Sequence, residues 1–158
     1  MKKKEIITTV IEYNSELELS NIEQELVEQS KDSAKNAYAP YSNFNVGATI
    51  LLANGEIVSA NNQENAAYPS GMCAERVAMF YANAKYPNIA VQTIVISAFS
   101  NNKLVENPIT PCGSCRQVLL ETEYRFKNNI KVIMVGEKIL SVDSINELLP
   151  LSFSSKNL

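Results

Sequence analysis

No histidine occurs anywhere in the 158 residues. That absence removes every histidine-based triad and every histidine-ligated metal site, so a zinc ion held by this chain would take its ligands from cysteine or carboxylate. Long apolar runs are missing as well: nothing approaches the ~18 consecutive apolar residues of a membrane span. Lys2, Lys3 and Lys4 imitate the charged start of a signal peptide. The apolar stretch from Ile6 to Ile11 is interrupted by Thr8 and Thr9 and closed by Glu12, with no small-residue cleavage site behind it. A cytoplasmic protein is the expectation. Basic charge is in short supply, with 14 Lys and Arg against 17 Asp and Glu and a net charge of -3. That balance argues against a surface built to grip phosphate backbones and points to a small-molecule substrate, with neither nucleic acid nor membrane as partner. Cysteine is scarce and odd in number. Three thiols exclude a fully paired disulfide framework, and the C-x-x-C spacing of two of them suits metal or redox chemistry.

The residues that are present predict alternating elements. Glu5 to Tyr13 is rich in β-branched types and reads as a strand. Ser20 and Glu23 have capping-box spacing, which predicts a helix from about Asn21 to Ala37 with Ile22, Leu26, Ser30 and Ser33/Ala34 on its inner stripe. Pro40 and Tyr41-Ser42-Asn43 end it. Val46–Leu52 and Glu56–Ala60 flank Asn54-Gly55 as a hairpin. A helix is predicted from Cys73 to Ala84, with Val77, Phe80, Tyr81 and Ala84 at helical spacing. Val91–Phe99 reads as a buried central strand. A polar loop then leads to a second cysteine-led helix from about Cys112 to Phe126, followed by strands Ile130–Val135 and Ile139–Val142. Ser144 caps a last short helix ending at Pro150. This order implies one domain over residues 1–158, a mixed central sheet covered by helices in a three-layer α/β/α arrangement, with residues 1–20 as an extension carrying an extra strand.

Two motifs carry the chemistry, Cys73-Ala74-Glu75 and Pro111-Cys112-Gly113-Ser114-Cys115. Each falls at a helix start, where unpaired amides and the helix dipole lower a thiol pKa and prepare a metal ligand. Cys112 and Cys115 can face one point from the first turn of their helix, with Cys73 as the third ligand. Three protein ligands leave the fourth tetrahedral position of zinc open, the arrangement of a catalytic site. Glu75 lies two residues beyond Cys73, near the metal without being needed as a ligand, and can carry protons. A carboxylate shuttle combined with P-C-x-x-C is the zinc deaminase signature, here with cysteine in place of histidine. Arg76 and Arg116 each follow a motif directly, and either guanidinium could draw charge from the thiolates. The alternatives at this point are a redox cysteine pair and a structural zinc knot.

With those motifs in view, the sequence resembles the small homotetrameric zinc-dependent cytidine deaminases. The likeness runs from about Tyr38 to Phe153, through Tyr38-Ala39-Pro40-Tyr41-Ser42-Asn43-Phe44, Asn62-Gln63-Glu64-Asn65-Ala66-Ala67-Tyr68, the two cysteine motifs and Glu147-Leu148-Leu149-Pro150. It implies a cytidine deaminase-like fold, one Zn²⁺ per subunit on Cys73, Cys112 and Cys115, and Glu75 as proton shuttle. It further implies that Asn62, Gln63 and Glu64 hold the ribose, that Phe44 packs on the pyrimidine and that the Ala74 amide donates to the base carbonyl. Phe153 would enter a neighbouring subunit's site and Tyr68 would line a subunit boundary, while the charge argument above leaves Arg76 to support the metal. The implied reaction is hydrolysis of cytidine and 2'-deoxycytidine to the uridines and ammonia, by zinc-bound hydroxide attack at C4. Its rivals are a deaminase of modified nucleosides, a polynucleotide-editing deaminase and a non-catalytic zinc-stabilised binding module.

Overall fold

Alternation along the strands decides the layering. In β2 (Phe44–Leu52), Val46, Ala48, Ile50 and Leu52 pack into one core cluster, and in β4 (Val91–Ser100) Ile94, Ile96 and Ala98 join them, while Val95 points into a second cluster. β6 (Lys131–Val135) repeats the pattern, with Val132 and Met134 on one face and Ile133 and Val135 on the other. A sheet buried on both faces needs cover on both. In the computed structural model, which describes all 158 residues, α1 (Asn21–Ala34) covers one face, and α2 (Ala74–Lys85) and α3 (Gly113–Phe126) cover the other.

With β1 (Ile11–Tyr13), β3 (Ile57–Asn61), β5 (Lys103–Leu104) and β7 (Ile139–Val142), the sheet has seven strands. Its order is β1-β7-β6-β4-β2-β3, with β5 paired to β4. Only β4 and β6 run parallel, joined by the crossover through α3, and every other pair is antiparallel. The fold is therefore the α/β arrangement with a mixed sheet that the element order implies. No helix is long and apolar enough to cross a membrane.

Several predicted elements move. The strand predicted over 5–13 is confined to Ile11–Tyr13, where it pairs with β7 at the sheet edge. β2 begins earlier, at Phe44, and α1 stops at Ala34 rather than Ala37. Within α1 the Glu23 carboxylate accepts from both the Ser20 N–H (2.9 Å) and the Ser20 hydroxyl (2.7 Å). Its buried stripe is Leu26, Val27, Ser30 and Ala34, and Ile22, expected inside, is exposed. The loop predicted after β4 contains β5, because Asn101 (φ 49°) and Asn102 (φ 63°) form a tight reversal with both central residues left-handed. The last predicted helix is a single 3-10 turn, Ile145–Glu147, capped by Ser144.

The largest correction is the buried face of α2. Ala74, Glu75, Ala78, Met79 and Ala82 face inward, whereas Phe80 and Tyr81 are 47% and 53% exposed. Ala84 is exposed as well, and Val77 is only partly buried. Small residues let the helix lie close on the sheet, and that places Glu75 inside the molecule.

On the opposite face α1 approaches β2 just as closely. A Cβ on Gly47 would stand 1.9 Å from the Ser30 carbonyl oxygen and 2.7 Å from the Ala34 nitrogen. Ser30 donates its hydroxyl to the Val27 carbonyl (2.8 Å) and accepts from the Ser97 hydroxyl (2.5 Å), so α1 is also hydrogen-bonded to neighbouring β4. Gly47→Ala must push a helix backbone off the sheet. It is expected to cost about 3 kcal/mol, read as a fall in Tm of roughly 6–12 °C by thermal melting.

Candidate active site

Cys73 and Cys112 occupy equivalent places, the N-caps of α2 and α3, each with extended backbone (φ -70°, ψ 149° and φ -66°, ψ 165°). Neither forms a side-chain cap bond, so both thiols are free for other work at the positive ends of their helices. Cys115, one turn into α3, is fully buried. The three sulfurs all lie within 4.8 Å of one another, with Cys73 and Cys112 at 3.9 Å and Cys112 and Cys115 at 3.5 Å. Zn–S bonds of ~2.3 Å at tetrahedral angles set sulfurs about 3.8 Å apart, so this donor set fits one zinc ion.

The electrostatics are those of thiols competing for protons. Cys73 is held down to about 5, by hydrogen bonding with Cys115 against the pull of burial, and further by Arg76 and Cys112. Cys115 is pushed strongly the other way by the same shared contact, by burial and by the charge of Glu75. One thiolate forms readily and resists a second. A dication would relieve that repulsion. Arg76 Nη2 stands 3.9 Å from Cys73 Sγ, while its buried Nε has no hydrogen-bond partner. Arg116 goes elsewhere, and the expectation that it could serve the sulfurs is not met: its guanidinium is spent on the Thr110 hydroxyl and the Pro111 and Leu148 carbonyls.

Glu75 is 4% exposed. Burial raises its pKa above the ordinary carboxylate value, and the neighbouring Cys73 charge raises it further. It lines an inner cavity of about 400 Å³ together with Cys73, Cys112, Ala74, Phe44, Asn62 and Glu64. The Ala74 N–H, first of α2, has no acceptor in the backbone. A larger cleft of about 470 Å³ adjoins this cavity and shares Ser42, Asn62, Glu64 and Cys73 with it, but Glu75 is not among its lining residues. Chemistry at Glu75 belongs to the smaller space.

The remaining candidate residues divide. Asn62 accepts from the Val46 N–H (2.7 Å) and donates to the Phe44 carbonyl (3.0 Å), so it fixes the start of β2. One amide proton and one lone pair are left for a ligand. Glu64 accepts from the Ser42 hydroxyl (2.5 Å) and from the Tyr41 N–H (2.9 Å), and these bonds, the Ser42 contact first, hold its pKa below the usual range. Gln63 turns its side chain to Asn61 (2.6 Å) and lines only the outer cleft. Tyr68 is 79% exposed at that cleft, edge-on to Tyr41. Phe153 is 62% exposed and lines neither space, its carbonyl held by Gln117 (2.9 Å). Sequence reasoning missed Ser42, Ile109 and Thr110, which line the inner cavity. Their signal was adjacency: Ser42 lies two residues before Phe44, and Thr110 two before Cys112.

Comparison with known proteins points one way. The family model described as the cytidine and deoxycytidylate deaminase zinc-binding region matches residues 20–130. The cytidine deaminase of Halalkalibacterium halodurans is 32% identical over 136 residues, covering 85% of this chain and 96% of that protein. That of Sporosarcina psychrophila is 35% identical over 137 residues, covering 85% and 93%. Among solved structures, the cytidine deaminase of Burkholderia pseudomallei superposes with a TM-score of 0.69 at 34% identity, over 85% of this chain and all of that one. The Mycobacterium tuberculosis enzyme gives 0.63 at 26% identity, over 82% and 94%. Sulfur geometry, a buried glutamate beside it and all three comparisons agree: the chain belongs to the cytidine and deoxycytidylate deaminase family.

Proposed function

We propose that this chain hydrolyses cytidine and 2'-deoxycytidine to uridine and 2'-deoxyuridine, releasing ammonia. The observation that carries the reading is the placement of buried Glu75 beside three convergent cysteine sulfurs in a cavity also lined by Phe44, Asn62 and Glu64. Cys73, Cys112 and Cys115 would hold zinc, which when bound supplies a Lewis acid that brings a water pKa towards neutrality.

The protein's own groups account for the rest. Glu75 takes a proton from the attacking water and delivers it to ring nitrogen as water oxygen bonds C4. It then takes the second proton from the C4 hydroxyl and passes it to the exocyclic amine, which leaves as ammonia as the C4–N bond breaks and the C4 carbonyl forms. A carboxylate with a raised pKa suits this exchange, because it holds a proton more readily than an ordinary carboxylate and can hand it on. The free Ala74 N–H meets the base carbonyl, and Phe44 packs on the ring. Ionised Glu64 accepts from a ribose hydroxyl, with Asn62 beside it. Gln63 contributes to this ribose segment through its backbone, which exchanges hydrogen bonds with Met72 (2.9 and 2.8 Å). Arg76 draws charge from the Cys73 sulfur and supports the metal.

The assembly is a homotetramer of single-domain chains over residues 1–158, the first 20 being an extension that adds the edge strand. The exposure of Phe153 and Tyr68 supports this, since each is a large side chain left uncovered by its own chain. Phe153 enters a neighbour's cavity, and Tyr68 lies at the boundary. Zinc-replete protein should release ammonia from cytidine and deoxycytidine, and not from a cytosine-containing oligonucleotide. Ammonia release from the oligonucleotide alone would move the reading to polynucleotide editing.

A further inference from the structure

Arg116 makes three hydrogen bonds to three neutral oxygens: Nε to the Pro111 carbonyl (2.8 Å), Nη1 to the Leu148 carbonyl (2.6 Å) and Nη2 to the Thr110 hydroxyl (2.9 Å). Every nitrogen of the fork is used, and no carboxylate pairs with it. A planar, rigid donor of this kind fixes geometry as well as contributing energy.

What it fixes is a part of the inner cavity where Ile109 packs on the core but little else is hydrogen-bonded. Ile109 and Thr110 both line that cavity. Pro108 and Pro111 have no N–H to donate, and the amides of Ile109 and Thr110 find no backbone acceptor. The segment is anchored upstream, where Glu137 N–H donates to the Val105 carbonyl (2.9 Å) and a Cβ on Gly136 would stand 2.8 Å from the Pro108 nitrogen. Downstream it runs into Cys112. Between these ends the Arg116 fork is the hydrogen-bonded hold. Its third bond ties the same wall to Leu148, in the C-terminal tail that Gln117 grips again at the Phe153 carbonyl (2.9 Å).

We propose that Arg116 is a positioning residue that pins the Ile109–Thr110 wall of the inner cavity to the C-terminal tail, and so sets how tightly the cavity closes on its ligand. The ligand's being a nucleoside rests on the function proposed above; the pinning does not. Loosening a wall weakens ground state and transition state together, which raises KM and leaves kcat largely intact. A role in bracing the metal helix would instead reduce zinc content and kcat.

Arg116→Lys tests this, since an ammonium keeps the charge but cannot span three acceptors. R116K should bind one zinc per chain, keep kcat within about threefold and raise KM for cytidine about tenfold. The NMR order parameter of the Thr110 methyl, read without substrate, should fall, and this outcome decides the proposal even if cytidine is not the substrate. Thr110→Val removes one acceptor and should raise KM with zinc retained, the double variant being no worse than R116K. Zinc-loaded R116K with unchanged KM and an unchanged Thr110 order parameter would overturn the proposal. If R116K does not fold, T110V with wild-type KM does the same.

Discussion

Glu75→Gln should lower kcat for cytidine by about 10³-fold or more while one zinc per chain remains bound. The substitution keeps the shape and buried volume of the side chain and removes only its capacity to accept and return a proton. It also replaces a carboxyl that burial disfavours in its charged form, so the Tm should not fall. That combination of an intact fold, intact metal and lost turnover separates a proton carrier from a structural residue. Loss of less than tenfold would show that some other group moves the protons. No second carboxylate lies as deep in this cavity: Glu64 is less buried and already accepts from Ser42 and Tyr41.

Cys112→Ala should bring zinc content from one per chain to near zero, and turnover with it. Two sulfurs cannot complete a site that needs three, and the chain has no histidine to substitute. Cys112 is the most exposed of the three and makes no cap bond to α3, so its removal leaves the core untouched and folding should persist. Metal analysis beside a thermal melt checks both halves. A variant that retains full zinc and activity would remove Cys112 from the ligand set.

The site was more legible than the fold that carries it. Without histidine, cysteine is the strongest zinc ligand the chain offers, and the structure brings the sulfurs of Cys73, Cys112 and Cys115 close enough to share one ion. Helical periodicity was a poorer guide. On α2 Val77, Phe80, Tyr81 and Ala84 carry the helical spacing, yet close packing on a sheet selects for small size, and Ala74, Ala78 and Ala82 take the inner face. On α1 the inner stripe instead runs through Leu26 and Val27, and Ile22 in the first turn falls outside it. The Asn101-Asn102 reversal carries no glycine to mark it, although asparagine also tolerates left-handed backbone. Arg116 could not be placed from sequence, since two of its partners are backbone carbonyls, one of them 32 residues away. Tertiary proximity alone reveals such a clamp.

The reaction itself is open to direct measurement by turnover of cytidine in ¹⁸O-labelled water with zinc-loaded protein. Hydrolytic deamination at Glu75 requires uridine with a single ¹⁸O at C4, released in step with one ammonia and abolished in Glu75→Gln. Zinc-loaded, folded protein that leaves cytidine unchanged, or product lacking the label, would contradict it.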